Sequence, residues 1–303
     1  MSKLAFLFPG QGAQVVGMGK ELVEEYPQAL TLFEKANAIL GYDLLDCCLN
    51  GPEEKLDSTV ISQPALFVTS LAVLEKLRIE SPEIVLSCEM AAGLSLGEYT
   101  AMVFAGAIDF EEALGVVKIR GESMQAAADA TPSGMVSLLG LSREQVDSVC
   151  EKVSESGELL RVANLLCPGN IVVSGSRGGC ELAAEYAVKD GAMKAIPLAV
   201  AGAFHTPVME SAVENLATAL SRITVKTPEI PVVSNVDARP HLDPDKIREL
   251  LIRQVVSPVQ WEDSLHYMIG QGMNEFFEVG PGKVLRGLLR RIDRKIPCHL
   301  TMA

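Results

Sequence analysis

The stretch Gly93-Leu94-Ser95-Leu96-Gly97 constrains this chain more than any other. It reads G-x-S-x-G, with an apolar segment before it (Met90, Ala91, Ala92) and an apolar helical pattern after it (Tyr99, Met102, Val103, Phe104). Strand, sharp turn and helix is the setting that presents a serine as a nucleophile. The glycines suit it because a Cβ on either side would collide with neighbouring backbone. Ser95 then stands at a helix N-terminus, and the Leu96 N–H points into the same space, placed to stabilise an oxyanion. The pentapeptide alone leaves a second reading open, a glycine-rich turn whose serine caps a helix.

The bulk of the sequence narrows the class. A chain of 303 residues forms one large domain or two modest ones, and 48% hydrophobic with 21% charged residues is ordinary for a soluble globular protein. A formal net charge of −13 argues against general nucleic-acid binding, and any acidic partner must find a local basic patch. The 7 cysteines are scattered, odd in number and without a C-x-x-C pair. That predicts free thiols in a reducing compartment, with no disulfide framework and no metal site. The opening apolar run, residues 4–8, is stopped by Pro9-Gly10 and reads as a buried strand, not a signal segment. No apolar run is read as membrane-spanning, so a cytoplasmic protein is expected.

Along the chain, residues 9–14 read as a flexible loop with the amides of Gln11 and Gln14, or as a simple turn. Residues 19–39 have helical spacing, 57–59 look like a loop, and Ser62-Gln63-Pro64-Ala65 opens a helix, with Ser62 as cap and proline in its first turn. A helix over 111–128 carries Arg120 in a largely apolar setting. A guanidinium there wants a carboxylate or phosphate, although snorkelling or a structural acid is the plainer account. From 135 to 200 the pattern runs strand, helix, strand, strand, helix, strand, with Ser142 and Gln145 as a capping box. This is the ferredoxin-like order, read as a small inserted subdomain. A strand over 275–279 turns at Gly280-Pro281-Gly282 into a last helix. That helix and its extension hold Arg286, Arg290, Arg291, Arg294 and Lys295, either a docking patch or a solvated face.

The chain has 4 histidines. His241 lies in a polar loop, His266 on an amphipathic helix and His299 near the C-terminus. His205 lies in a small-residue junction, Gly202-Ala203-Phe204-His205-Thr206-Pro207, with room for a ligand. No acid flanks it to complete a Ser-His-Asp triad, so a backbone carbonyl or an amide is left to orient the ring.

Together these pieces resemble the malonyl-CoA:acyl carrier protein transacylase family of fatty-acid synthesis. The residues that carry the resemblance are Phe8-Pro9-Gly10-Gln11-Gly12-Ala13-Gln14, Ser62-Gln63-Pro64-Ala65, the elbow with Glu98-Tyr99, and Arg120. Val162-Ala163-Asn164, the His205 junction, Ser234-Asn235-Val236 and Glu278-Val279-Gly280-Pro281-Gly282 follow in order, so the match spans residues 4 to about 290. Each motif is weak, and their ordered co-occurrence is specific.

The resemblance implies an α/β-hydrolase-like large subdomain (1–130 and 199–303) with an inserted ferredoxin-like small subdomain (131–198). It implies Ser95 as nucleophile, His205 as base and Gln254 as the residue whose backbone carbonyl orients His205. The N–H groups of Gln11 and Leu96 become the oxyanion hole, Arg120 holds the malonyl carboxylate, and Asn164 joins the substrate site. Malonyl-CoA and acyl carrier protein are the implied partners of a monomer with no bound cofactor; CoA and phosphopantetheine arrive on the substrates. Acyl carrier proteins are acidic, so docking falls on the Arg286–Lys295 cluster. One departure stands out: Leu94 occupies a position where the family usually has histidine. A serine thioesterase, an acyltransferase of a polyketide pathway and a non-catalytic carrier-binding relative remain as alternatives.

Overall fold

The structure is a computed structural model that describes residues 2–301. Ten strands run in chain order: β1 (Leu4–Phe8), β2 (Cys88–Gly93), β3 (Ser133–Leu139), β4 (Leu160–Cys167), β5 (Asn170–Ser176), β6 (Lys194–Pro197), β7 (Val232–Val233), β8 (Val259–Gln260), β9 (Glu275–Val279) and β10 (Cys298–Thr301). They form two sheets of five. The larger has the order β10-β9-β1-β2-β7, and every pairing in it is parallel.

Every residue of β1 is buried, as expected of a central parallel strand covered on both faces. Its side chains alternate. Leu4, Phe6 and Phe8 face one apolar core, while Ala5 and Leu7 face another built on Trp261, Leu265, Leu285 and Leu289. β1 and β2 both end at the elbow, so the carboxyl ends of the two innermost strands define where a ligand can bind.

The first core is organised around the helix Thr59–Glu80. It is long and apolar enough to cross a membrane, which the sequence reading did not credit, but 83% of its most apolar window is buried inside the protein. A helix apolar on all sides needs protein on all sides. It also begins before Ser62, so Pro64 sits inside it rather than in its first turn. The Val60 carbonyl thereby loses its helical donor, and the Tyr42 hydroxyl approaches it at 3.5 Å. The helix expected over 19–39 is two, Lys20–Glu25 and Pro27–Leu40. Tyr26 between them is extended (φ −121°) because the residue before a proline is pushed out of the helical region.

The second sheet has the order β6-β3-β5-β4, antiparallel throughout, with the helices Arg143–Glu155 and Arg177–Lys189 packed on it. The capping box of Ser142 and Gln145 is formed. A fifth strand, β8, joins from outside the 131–198 segment and runs parallel to β4, pairing Asn164 with Val259. A segment from outside 131–198 is thus tied into the second sheet beside Asn164.

Candidate active site

Ser95 stands between β2 and the helix Gly97–Phe104 with φ 51°. That left-handed conformation is unusual for a residue with a Cβ. The flanking glycines are required by space. A Cβ on Gly93 would lie 1.8 Å from the Gly97 carbonyl carbon, and one on Gly97 would lie 2.2 Å from the Phe8 oxygen. The Asn235 side chain clamps the turn: its Oδ1 accepts from the Ser95 N–H at 2.6 Å, and its Nδ2 donates to the Gly93 carbonyl at 2.7 Å.

His205 is 110 residues away in sequence, in the loop between β6 and the helix Glu210–Ser221. It too has positive φ, 62°. The loop is pinned by Thr206, which donates to the Ala203 carbonyl at 2.7 Å, and by Ser133, which accepts from the Ala203 N–H at 3.1 Å. The ring Nε2 lies 2.9 Å from Ser95 Oγ, and Nδ1 lies 2.9 Å from the Gln254 carbonyl oxygen. A carbonyl can only accept, so the ring proton belongs on Nδ1 and the Nε2 lone pair faces the serine. Burial, with the nearby Arg120 charge second, pushes the imidazole down to about 4, so it is a neutral base at physiological pH.

Arg120 is 1% exposed, on the helix Phe110–Ala130. Gly121 beside it permits the close crossing with Thr59–Glu80, since a Cβ there would lie 2.9 Å from the Thr59 oxygen. The guanidinium donates to Gln63 Oε1 at 2.6 Å, to Gln254 Oε1 at 2.9 Å and to Ser95 Oγ at 3.0 Å. Among the described residues its Nε has no partner, and the acceptors of its other nitrogens are neutral. A buried cation held by neutral acceptors is poised for an anion.

These groups open on a cavity of about 170 Å³ lined by Gln11, Leu94, Ser95, Leu96, Arg120, Asn164 and His205. Its other walls are mostly apolar, among them Met124, Met135, Leu166, Leu198 and Phe204. Neither the Gln11 nor the Leu96 N–H is taken by another backbone carbonyl among the described residues. Ser95, His205, Arg120, Asn164, Gln11 and Leu96 therefore line one cavity, and Gln254 stands behind it, bonded to His205 and Arg120.

The basic cluster lies apart from that cavity and divides. Arg291 donates to the carbonyls of Pro168 and Gly169 at 3.1 and 3.3 Å, and Arg286 is half-buried near Glu278. Arg290, Arg294 and Lys295 are exposed. Val284 and Leu288, on the same helix (Val284–Ile292), line the cavity.

Three contributors carried no role in the sequence reading. Asn235 and Gln63 are motif residues with no chemical signal of their own. The Glu98 carboxyl lies on the far side of Gln254 from His205. It accepts from Gln254 Nε2 at 2.6 Å and from the Asn235 N–H at 3.1 Å. Its closeness to Ser95 in sequence was the available signal.

Comparison with known proteins places the whole chain in one family. The family model for the acyl transferase domain matches residues 5–294. The malonyl CoA-acyl carrier protein transacylase of Bacillus subtilis is 45% identical over 296 residues, covering 98% of this chain and 92% of that protein. The mitochondrial transacylase of Homo sapiens is 44% identical, covering 94% of this chain and 75% of that protein. Among solved structures, the Coxiella burnetii transacylase superposes with a TM-score of 0.95 at 37% identity, covering 99% of this chain and 94% of that one. A malonyl-transacylase solved with a type II PKS acyl carrier protein gives 0.94 at 36%, covering 99% and 96%. The parallel sheet with its serine elbow, joined to a smaller mixed sheet, is shared with these solved transacylases, and the chain is of the acyl transferase class. The chain belongs to the malonyl-CoA:acyl carrier protein transacylase family.

Proposed function

We propose that Ser95, His205 and Arg120 carry the reaction through a seryl-malonyl ester. The reaction is transfer of a malonyl group from malonyl-CoA to acyl carrier protein in fatty-acid synthesis. The observation that carries the mechanism is the chain from Ser95 Oγ to His205 Nε2 and from Nδ1 to the Gln254 carbonyl, with Arg120 at 3.0 Å from the same Oγ.

His205 takes the Ser95 proton as Oγ attacks the thioester carbonyl. The N–H groups of Gln11 and Leu96 receive the oxyanion, a contribution of roughly 2.7–4 kcal/mol for one such donor in comparable sites. The carbon–sulfur bond breaks, and CoA leaves with the proton from His205. The phosphopantetheine thiol then gives its proton to His205 and attacks the ester, and Ser95 recovers its proton as it leaves. Arg120 pairs with the free malonyl carboxylate, which Asn164 helps to position. Protein groups perform every step, with no resident cofactor.

Docking of the acidic carrier falls to Arg290, Arg294 and Lys295, supported by Val284 and Leu288 of the adjoining helix at the cavity wall. Seven free cysteines suit a reducing compartment, and a cytoplasmic monomer completes the reading.

Intact-mass measurement after brief mixing with malonyl-CoA tests it. A malonyl adduct should form on the wild type, be absent from Ser95→Ala, and move to added acyl carrier protein. An adduct lost as free malonate whether or not carrier is present would instead mark a hydrolase.

A further inference from the structure

We propose that Glu98 is a positioning residue for this reaction: its buried carboxylate fixes the two residues, Gln254 and Asn235, that hold base and nucleophile, and offsets the charge of Arg120. The inference rests on the roles given above to Ser95, His205 and Arg120.

Glu98 is 1% exposed, in the first turn of the helix that follows the elbow. Its Oε2 accepts from Gln254 Nε2 and the Asn235 N–H. Each of these two residues is tied to a reacting group through another of its polar atoms. Gln254 gives its carbonyl to His205 and its side-chain oxygen to Arg120, while its Nε2 also reaches the Ser95 carbonyl at 3.0 Å. Asn235 holds the Ser95 N–H. The polarity of the Gln254 amide is dictated from both ends. Arg120 can only donate, so Oε1 must face it and Nε2 must face acceptors. Glu98 is the charged one, and charge-assisted bonds are the stronger kind.

The electrostatics follow from the same geometry. The ionisable groups near the carboxyl are Arg120 on the neighbouring helix, Tyr99 beside it on its own helix, and His205 across Gln254. Ser234, Asn235 and Gln254 are neutral. The Arg120 charge weakens His205 as a base. An ionised Glu98 counters that field, so His205 is strongest when Glu98 is charged. Burial raises the carboxyl to about 7, so this control acts near neutrality.

The test is the single-turnover rate of Ser95 acylation by malonyl-CoA across pH. In the wild type the rate should fall below about pH 7, where Glu98 protonates, well above the His205 value of about 4. Glu98→Gln keeps the shape without the charge. It should acylate at least about tenfold more slowly at alkaline pH, the equivalent of one unit of base strength, and its acid limb should move toward that of His205. Glu98→Asp, which keeps the charge, should keep the limb near its wild-type position. Equal rates in wild type and Glu98→Gln would overturn the proposal, as would a variant profile that overlays the wild type after scaling. If Glu98→Gln does not fold, the wild-type limb decides, and a limb near 4 rejects the proposal. A wild type that forms no adduct at any pH overturns the Ser95 reading as well; one that acylates without the neutral limb overturns Glu98 alone.

Discussion

Asn235 reaches across 140 positions of sequence to accept the Ser95 N–H at 2.6 Å. The bond matters because Ser95 has φ 51°, a backbone state that costs about 1–3 kcal/mol and persists where the surroundings enforce it. Asn235→Ala leaves the Ser95 N–H and the Gly93 carbonyl without their side-chain partner. Stability to urea should fall by about 1–3 kcal/mol, and acylation should slow by about tenfold or more as the nucleophile drifts. Rapid-quench kinetics and denaturation on the same variant check both effects. An unchanged acylation rate in a destabilised protein would confine Asn235 to a structural role.

The elbow glycines face a harder constraint. The nearest contact to a Cβ on Gly93 is backbone, at 1.8 Å, and backbone cannot rotate aside as a side chain can. Gly93→Ala is expected to cost more than about 4 kcal/mol, the range reached when overpacking meets no relief. Gly287 is the control, because nothing lies within 4 Å of its Cβ position and the residue is helical. Gly287→Ala should leave stability unchanged or raise it by up to about 1 kcal/mol. Thermal melts of the two variants give the comparison.

On the proposed mechanism, Arg120 sets the preference for an acyl group that carries a free carboxylate. Its present acceptors are all neutral oxygens. An acetyl group would leave the buried guanidinium with no anion in direct contact, while a malonyl group supplies one. Loss of a buried charge pair costs about 2–5 kcal/mol, so Arg120→Ala should reduce malonyl transfer by about 10²-fold or more. Acetyl transfer should change far less, so the ratio of the two measured on one carrier protein should collapse. A ratio that survives the substitution would move the specificity elsewhere in the cavity.

Much of this site was legible because its chemistry is local in sequence. The elbow announces itself by two glycines around a serine, and His205 by being the one histidine in a small-residue junction. The small subdomain was legible from alternating periodicities and the Ser142–Gln145 box. The support beneath the site was not. Asn235 and Gln63 act through contacts spanning 140 and 57 positions, which no local pattern encodes, and Glu98, although close to Ser95 in sequence, acts through a contact spanning 156. Propensity also misplaced the start of the long central helix, because Pro64 is tolerated inside a helix that tertiary packing holds on all sides. The strand β8 is two residues long, too short for any periodicity.

Two buried groups give stability opposite slopes with pH. The His205 imidazole, lowered from 6.5 to about 4, is protonated first in the unfolded chain as pH falls. Its contribution is present above about pH 6.5 and lost on acidification toward 4. The Glu98 carboxyl, raised from 4.5 to about 7, contributes stability below about pH 4.5 that is lost as pH rises toward 7. Glu98→Gln should therefore gain on the wild type with rising pH over that second window. His205→Asn should gain on the wild type with falling pH over the first. Urea midpoints taken across the range check both signs, and parallel curves for variant and wild type would show that these groups do not titrate on unfolding.

The exposed cations at the chain's C-terminal end test the second half-reaction. Arg290, Arg294 and Lys295 lie on or just past a helix whose other face, Val284 and Leu288, borders the cavity. A carrier held there would be beside the cleft through which its phosphopantetheine must reach Ser95. Arg291 is already committed to the carbonyls of Pro168 and Gly169, so changing it would mix docking with structure. The double variant Arg290→Glu, Arg294→Glu avoids that. Acylation by malonyl-CoA should be unaffected, while kcat/KM for the carrier should fall by about tenfold or more at low ionic strength. Added salt should narrow the difference, since exposed charges are screened beyond about 10 Å at 0.1 M. If both half-reactions slow together, the patch serves the fold or CoA binding and the carrier docks on another face.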